Sequence, residues 1–417
     1  MTFETFNLQQ STLDAIYKMG IKTPSKIQEE SIPHIVLGKD VIGESATGSG
    51  KTLAFGVGIA EKVEPQVGMQ CLVLTPTREL ANQVYGEIKQ LVKPKTGIAI
   101  VYGGVGYGPQ ISAMEKADVV VSTPGRLLDH MQQGNISLRN VSLLVLDEAD
   151  RMFEMGFIDD IEKIISQIPK ARQTLLYSAT FSDQVKRVAT RHMKNPIQIK
   201  TIVQVDPSKL HQAYYDIARN LKFSLLVHLL RNEKSGLVMV FCNTRRTVDF
   251  LTKNLQKNDV DAIAIHGGLS QNKRLQSLST FDKGKAHVLV CTDVAARGLH
   301  IDNVSHVYNY EIPNDATDYI HRIGRTARAG KEGIAINLIC DRDHENFGRV
   351  MDRYRDFAID KIPKPQIEQV KVVMDTGRDM NGNPRSPNRG RTSSRGNPRG
   401  TRGGRPSSEA SSRPQRN

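Results

Sequence analysis

Along most of the chain, short runs rich in Val, Ile and Leu alternate with longer stretches whose apolar residues recur at helical spacing. CLVLTP precedes TRELANQVYGEIKQLV, DVVVSTP precedes GRLLDHMQ, and LLVLDEAD precedes FIDDIEKIISQI. A nearly continuous apolar run suits a strand buried on both faces, and an amphipathic stretch suits a helix crossing over it. The pattern therefore predicts parallel sheets covered by helices. The rhythm is interrupted at VQVDPSKLHQ, Val203 to Gln212, and resumes at GLVMVFCNT, DAIAIHGG and HVLVCTDVAARG. The halves echo each other: CLVLTPTREL and LVMVFCNTRRT both end an apolar run on Thr and Arg, and VVVSTPGR has a counterpart in VLVCTDVAARG. The expected fold class is α/β, two related tandem domains, each a mostly parallel sheet flanked by helices. The expected boundaries are a first domain at 1–205, a linker at 206–212, a second domain at 213–362 and an extension at 363–375.

Charge changes the picture mainly at the far end. The formal net charge is +13, and from Thr376 to Asn417 ten arginines face only Asp379 and Glu409, so the tail holds most of the excess. A basic balance points to a polyanionic partner, nucleic acid before membrane surface. Residues 376–417 are built of Arg, Gly, Ser, Pro and Asn with no aromatic side chain. Such a segment buries too little apolar surface to offset ordering entropy and is expected to be disordered. No apolar run reaches the length of a membrane span, and MTFETFNLQQ lacks the basic and apolar regions of a secretory signal. Cys71, Cys242, Cys291 and Cys340 have no metal-ligand or redox-pair spacing. Reduced core thiols in a cytoplasmic protein are expected.

After the apolar DVIG comes ESATGSGKT, with Gly48, Gly50, Lys51 and Thr52. Small residues let backbone N–H groups close around phosphate oxygens at a helix N-terminus; the lysine reaches the β- and γ-phosphates, and the threonine hydroxyl ligates Mg²⁺. The general pattern starts with glycine where Ser45 stands. In LLVLDEADRM, three carboxylates crowd within four positions, and like charges so close need a cation among them. A magnesium ion on a nucleoside triphosphate meets that need. Asp147 would hold it through water, Glu148 would orient and deprotonate the attacking water, and Asp150 would fix its neighbours. Taken alone, the cluster could also be an acidic turn capping the next helix.

In order and spacing, GIKTPSKIQ, SATGSGKT, PTREL, the glycine pair at Gly103, TPGR, DEAD, SAT, VFCNT, QNKR, CTDVAARGLHID and HRIGRTAR together resemble the DEAD-box ATP-dependent RNA helicases of helicase superfamily 2. The likeness covers about residues 1 to 360. It implies two RecA-like domains, ATP and Mg²⁺ as cofactors, and RNA-stimulated ATP hydrolysis coupled to domain closure with local, non-processive unwinding. The implied nucleotide contacts are Phe3, Thr23, Gln28, Ser45, Ala46, Thr47, Gly48, Ser49, Gly50, Lys51, Thr52, Gly298 and His300. Gln28 would pair with the adenine edge and Phe3 would stack on the base; by itself Phe3 reads as a core anchor. Arg325 and Arg328 resemble arginine fingers, completing a catalytic set with Lys51, Asp147 and Glu148. Ser178, Thr180 and His321 would couple the carboxylates to the other domain, although Ser178 and Thr180 could equally cap a helix.

The implied RNA track runs over Thr77, Arg78, Gly103, Gly104, Thr123, Gly125 and Arg126 in the first domain. In the second it runs over Asn243, Thr244, Arg245, Gly268, Gln271, Arg274, Thr292 and Asp293. These groups suit phosphates and 2′-hydroxyls, so little base preference is expected. Ribonucleoprotein or ribosome-related partners are expected, and no membrane. Three residues depart from the commonest family pattern. Ser45 and Ala46 replace Ala-Gln; Ala327 replaces a glycine, tolerable if helical; and His300 stands where many members carry an aspartate on the ribose. The tail resembles arginine-glycine RNA-binding tails, with a merely solubilising terminus as the alternative. A clamp that displaces proteins, or an RNA chaperone acting through its tail, are the rival functions.

Overall fold

The structure is a computed structural model and describes residues 1–45, 48–201, 209–233, 235–296, 301, 304–327 and 332–373. Met1 to Val373 form one compact unit, and the tail at 376–417 lies outside the described residues.

Two seven-stranded sheets carry the fold, and every strand pairing in them is parallel. The first holds β1 (Val41–Glu44), β2 (Cys71–Leu74), β3 (Ile98–Val101), β4 (Val119–Ser122), β5 (Leu143–Leu146), β6 (Gln173–Ser178) and β7 (Ile197–Lys200). The second holds β8 (Leu210–Asp216), β9 (Leu237–Cys242), β10 (Ala262–Ile265), β11 (Val288–Thr292), β12 (Val304–Asn309), β13 (Gly333–Ile339) and β14 (Ile359–Lys361). Their orders are β3-β4-β2-β5-β6-β1-β7 and β10-β11-β9-β12-β13-β8-β14. The second order is the first with every strand advanced by seven, so the echo in the sequence is an identity of topology.

The apolar runs are strands because both of their faces are covered. In β2, Cys71 and Val73 enter the core under one helical layer, while Leu72 and Leu74 enter the core under the other. Leu143 and Val145 of β5 divide from Leu144 and Leu146 in the same way, and so do Val238 and Val240 of β9 from Met239 and Phe241. Burying each such side chain is worth about 1.5–3 kcal/mol, and the period of two fixes the register. All four cysteines are free and buried, Cys71, Cys242 and Cys291 within these cores. Among the described residues no helix is long and apolar enough to cross a membrane.

Two observations bear on the boundaries. Leu210, His211 and Gln212, expected in a linker, are already paired in β8 with Gly333, Ile334 and Ala335. The extension beyond Pro363 is packed through Val373: Ile367 and Val370 lie against the second core. The Val370 N–H donates to Ser224 Oγ (3.2 Å), and Asn254 accepts from the Val373 N–H (2.7 Å). A buried ion pair lies at the carboxyl edge of the second sheet. Lys222, first residue of the helix Lys222–Asn232 after β8, donates to Asp343 (2.5 Å), just past β13, and its ammonium sits 5.2 Å from the Tyr310 ring, just past β12.

Candidate nucleotide and nucleic-acid site

Parallel strands deliver their following loops to one edge of the sheet, and the strand order sorts those loops. In the first sheet β5, β6 and β1 are adjacent, so the DEAD carboxylates, the SAT hydroxyls and the glycine cradle emerge side by side. The loops after β2, β4 and β3, with PTREL, TPGR and the glycine pair, emerge on the other half of the same edge.

The cradle opens the helix Lys51–Lys62, whose N-cap Gly50 has φ 95°, a left-handed conformation that suits glycine. Lys51 is buried, and its ammonium donates to the Ser45 carbonyl (2.9 Å), while the Ser45 and Ser49 hydroxyls pair at 2.8 Å. Gln28 makes two hydrogen bonds here. Its Nε2 donates to the Gly50 carbonyl (2.9 Å), and its Oε1 accepts from the Ser25 N–H (2.9 Å), so the amide ties the GIKTPSKIQ segment to the cradle. Phe3 is 0% exposed and edge-on to Phe6 in the first core, the place of the core anchor that it reads as by itself. Thr23 is exposed in the loop before the helix Lys26–Val36. Gly48 and Thr52 stand at the cradle, whereas Ala46, Thr47, Gly298, His300 and Arg328 lie outside the described residues.

Asp147 is buried, and burial pushes its carboxyl up to about 7 against the pull of Lys51. Glu148 sits at φ 51°, an uncommon conformation for a residue with a side chain. Burial raises its pKa, but Arg151, Lys51, Arg325 and His321 together overcome that and leave it lowered. Arg151 donates to Glu148 Oε2 at 3.1 Å. Arg325, whose charge contributes to that lowering, is itself buried and belongs to the second half of the chain. Asp150 organises the neighbourhood: its Oδ2 accepts from the Thr180 N–H (2.8 Å) and hydroxyl (2.9 Å), and the Ser178 hydroxyl accepts from the Asp150 N–H (3.2 Å). The donor set fits Mg²⁺, because Asp147 and Thr52 offer hard oxygen atoms. Among the described residues no three His, Cys, Asp or Glu side chains converge as a metal cage.

On the other half of the edge, Thr77 caps the helix Arg78–Leu91 by accepting from the Leu80 N–H (3.3 Å). A Cβ on Gly103 would stand 3.4 Å from Arg78 Nη2 and 4.0 Å from Arg126 Nη2, so two guanidinium groups flank the glycine backbone. Gly104 has φ 84°, and a Cβ there would collide with Arg78. Thr123 and Gly125 sit at the start of the helix Pro124–Gln132 that carries Arg126. The second sheet repeats the device: Thr244 caps the helix Arg245–Lys257 (3.1 Å to the Thr247 N–H), and Arg245 Nη2 is 3.1 Å from a Cβ built on Gly267. The Gly268 N–H donates to His266 (3.1 Å). Thr292 is buried at the end of β11.

Four residues expected on the RNA track have protein partners in this structure. Arg322, 1% exposed, donates to both carboxylate oxygens of Asp293 (2.5 and 2.6 Å) and to Asn243 Oδ1 (2.8 Å). Asn243 Nδ2 goes to the Ile312 carbonyl (2.8 Å). Asp293 and Asn243 are thereby committed to holding the second domain's loops together. Gln271 and Arg274 both reach Glu79 of the PTREL segment, at 3.0 Å each, joining the two halves of the chain. Sequence reasoning missed Glu79 and Arg322. Their signal was a carboxylate inside PTREL and a first arginine in HRIGRTAR.

The DEAD/DEAH box helicase family model matches residues 25–188, and that of the helicase conserved C-terminal domain matches residues 221–330. The chain is 43% identical over 383 residues to the DEAD-box ATP-dependent RNA helicase CshA of Bacillus subtilis, covering 89% of this chain and 77% of that one. Dbp5 of S. cerevisiae bound to RNA and ADP BeF3 is 31% identical and superposes with a TM-score of 0.78, covering 87% of this chain and 95% of that one. A Dbp5 variant bound to Nup159, Gle1, IP6 and ADP is 30% identical and superposes at 0.61, over 86% and 96%. A nucleotide cradle, a carboxylate cluster and arginine-flanked glycine loops thus occur in a sequence with close kinship to these proteins throughout both sheets: the chain belongs to the DEAD-box ATP-dependent RNA helicases.

Proposed function

We propose that the chain hydrolyses ATP at a site completed only when its two sheet domains close over RNA, and that closure melts short duplexes locally or remodels ribonucleoprotein. The observation that carries this reading is that side chains of both domains meet, Gln271 and Arg274 of the second on Glu79 of the first, while the charge of Arg325 acts on Glu148. The higher TM-score against the Dbp5 complex with RNA and ADP BeF3 than against that with Nup159, Gle1, IP6 and ADP supports a domain arrangement like that of the RNA-bound relative. In this reading Lys51 leaves the Ser45 carbonyl for the β- and γ-phosphates, and the cradle N–H groups grip the phosphate oxygens. Asp147 and Thr52 hold Mg²⁺, which when bound neutralises phosphate charge. Glu148, ionised at neutral pH because Arg151 and its cationic neighbours outweigh burial, orients water and accepts its proton. Arg325, with Arg328, meets the charge spreading over the transferring phosphoryl group. Asp150, Ser178 and Thr180 link the carboxylate loop to the domain contact.

RNA lies across Arg78, Gly103, Gly104, Thr123, Gly125 and Arg126, and then Thr244, Arg245, Gly268 and Thr292, held by its backbone with little base preference. RNA in ribonucleoprotein or ribosome-related assemblies is the substrate class, and the four buried free thiols suit the cytoplasm. The test is Arg325→Ala in the full chain. RNA-stimulated turnover should fall by roughly a thousandfold or more, as expected for an arginine finger, with nucleotide binding little changed. Turnover within tenfold of wild type would refute the composite site.

A further inference from the structure

From the geometry around Arg126 we infer that Tyr107, outside every motif of the sequence analysis, is a positioning residue that holds this guanidinium in its RNA-binding pose. The inference rests on the proposed RNA track.

Tyr107 follows the glycine pair by a few residues and opens the helix Tyr107–Met114. The Arg126 guanidinium carbon lies 4.4 Å from the centroid of its ring, within the range in which a cation is attracted to a π face. The far side of the arrangement is fixed too. His130, fully buried, packs against the Tyr107 ring with centroids 5.0 Å apart. The phenol donates to Asp129 Oδ2 (3.3 Å), and the same oxygen is 3.7 Å from Arg126 Nε. Arg126 Nη1 donates to the Val105 carbonyl (2.8 Å), so one short loop supplies both the ring and the acceptor. Only 10% of the arginine side chain is exposed, and its buried Nε has no hydrogen-bond partner.

These contacts occupy one face and one edge of the guanidinium. Nη2 is left on the side of Gly103, where Arg78 also converges. An arginine free in solvent loses rotamer entropy when fixed on a phosphate. Seated on Tyr107, Arg126 has lost much of that freedom before RNA arrives, the usual route by which preorganisation raises affinity. A tyrosine ring suits this task because it is broad, flat and itself wedged by His130.

The experiment measures RNA-stimulated ATP hydrolysis against the concentration of a single-stranded oligoribonucleotide at several salt concentrations. Tyr107→Leu, which keeps apolar volume and removes the π face, should raise the half-saturating RNA concentration by roughly three- to tenfold, with the effect on that constant rather than on turnover at saturating RNA. Its salt slope should stay at the wild-type value, since Arg126 still meets its phosphate. Tyr107→Phe should stay within about twofold of wild type, because the ring remains. Arg126→Ala should both weaken binding and reduce the salt slope by about one. In an Arg126→Ala background, Tyr107→Leu should add nothing. If Tyr107→Leu weakens binding further in that background, the ring touches RNA directly and the positioning role is wrong. If Tyr107→Leu is silent while Arg126→Ala is not, the proposal fails and the RNA track stands. If Arg126→Ala is silent, the track itself fails.

Discussion

Glu79 accepts from Arg274 and Gln271 across the two domains, and its removal gives a measurable test of closure. The carboxylate is 3% exposed, each of its two bonds is 3.0 Å, and Arg274 is itself largely buried. Hydrogen bonds to a charged group contribute about 1.5–3 kcal/mol each, which for the two gives a gross of roughly 3–6 kcal/mol. In the open chain all three side chains recover water, so a net of about 2–3 kcal/mol for closure is a reasonable figure. Glu79→Ala should therefore lower the closure constant by roughly 30- to 150-fold, and the half-saturating RNA concentration should rise accordingly. The midpoint of thermal unfolding should move little, because the contact lies between domains and not within a core. Arg274→Ala should behave alike, and the double variant should be little worse than either, a coupling of more than about 1.5 kcal/mol. Salt-dependent ATPase titrations on the four proteins measure this. The reasoning is refuted if Glu79→Ala tightens RNA binding while Arg274→Ala weakens it and flattens the salt dependence. Arg274 would then be spending its charge on a phosphate, with Glu79 as its competitor.

Three further outcomes are expected. Glu148→Gln should retain nucleotide binding and slow RNA-stimulated turnover by at least about a hundredfold, and near-normal hydrolysis would remove that carboxylate from its role. For Asp343, burial raises the pKa but Lys222 more than offsets it, leaving the carboxyl below its ordinary 3.8. The folded value is lower than the unfolded one, so the pair stabilises fully above the ordinary value and is lost as pH falls through the folded value. Asp343→Asn should cost about 3–5 kcal/mol at neutral pH and flatten the pH dependence of urea unfolding below about pH 4; an unchanged acid limb would refute this. Ala327 is not helical, as its tolerance had required, but sits at φ 54°. Ala327→Gly should therefore stabilise the fold by up to about 1 kcal/mol in urea unfolding, and destabilisation would contradict the reading of its backbone.

The sheets and the phosphate cradle were legible because they are written locally. Val, Ile and Leu at period two, or Gly-x-Gly-Lys-Thr after a strand, carry their physics within ten residues. The duplication was visible too, as a Thr-Arg pair after an apolar run in each half. What could not be read was which of two available partners a polar side chain would take. Arg274 and Asp293 have the chemistry of RNA contacts, yet Glu79 and Arg322 lie nearer and hold opposite charge. Those neighbours come from 195 and 29 positions away, a separation that no local pattern encodes. Phe3 illustrates the reverse: its stacking role rests on family spacing alone, while its burial is what an aromatic beside a core does by elementary physics. The left-handed Ala327 was hidden because its side chain gives no warning of its backbone.

The matching strand orders give the buried Lys222–Asp343 pair a meaning beyond stability. β8 stands where β1 stands in the first sheet, so Lys222, opening the helix after β8, is the positional twin of Lys51. Asp343 follows β13, the twin of β6, and its carboxylate gives that ammonium a captive anion where the other lobe would grip a phosphate. The rear lobe thus supplies its own counterion to the ammonium that stands where the front lobe carries its cradle lysine.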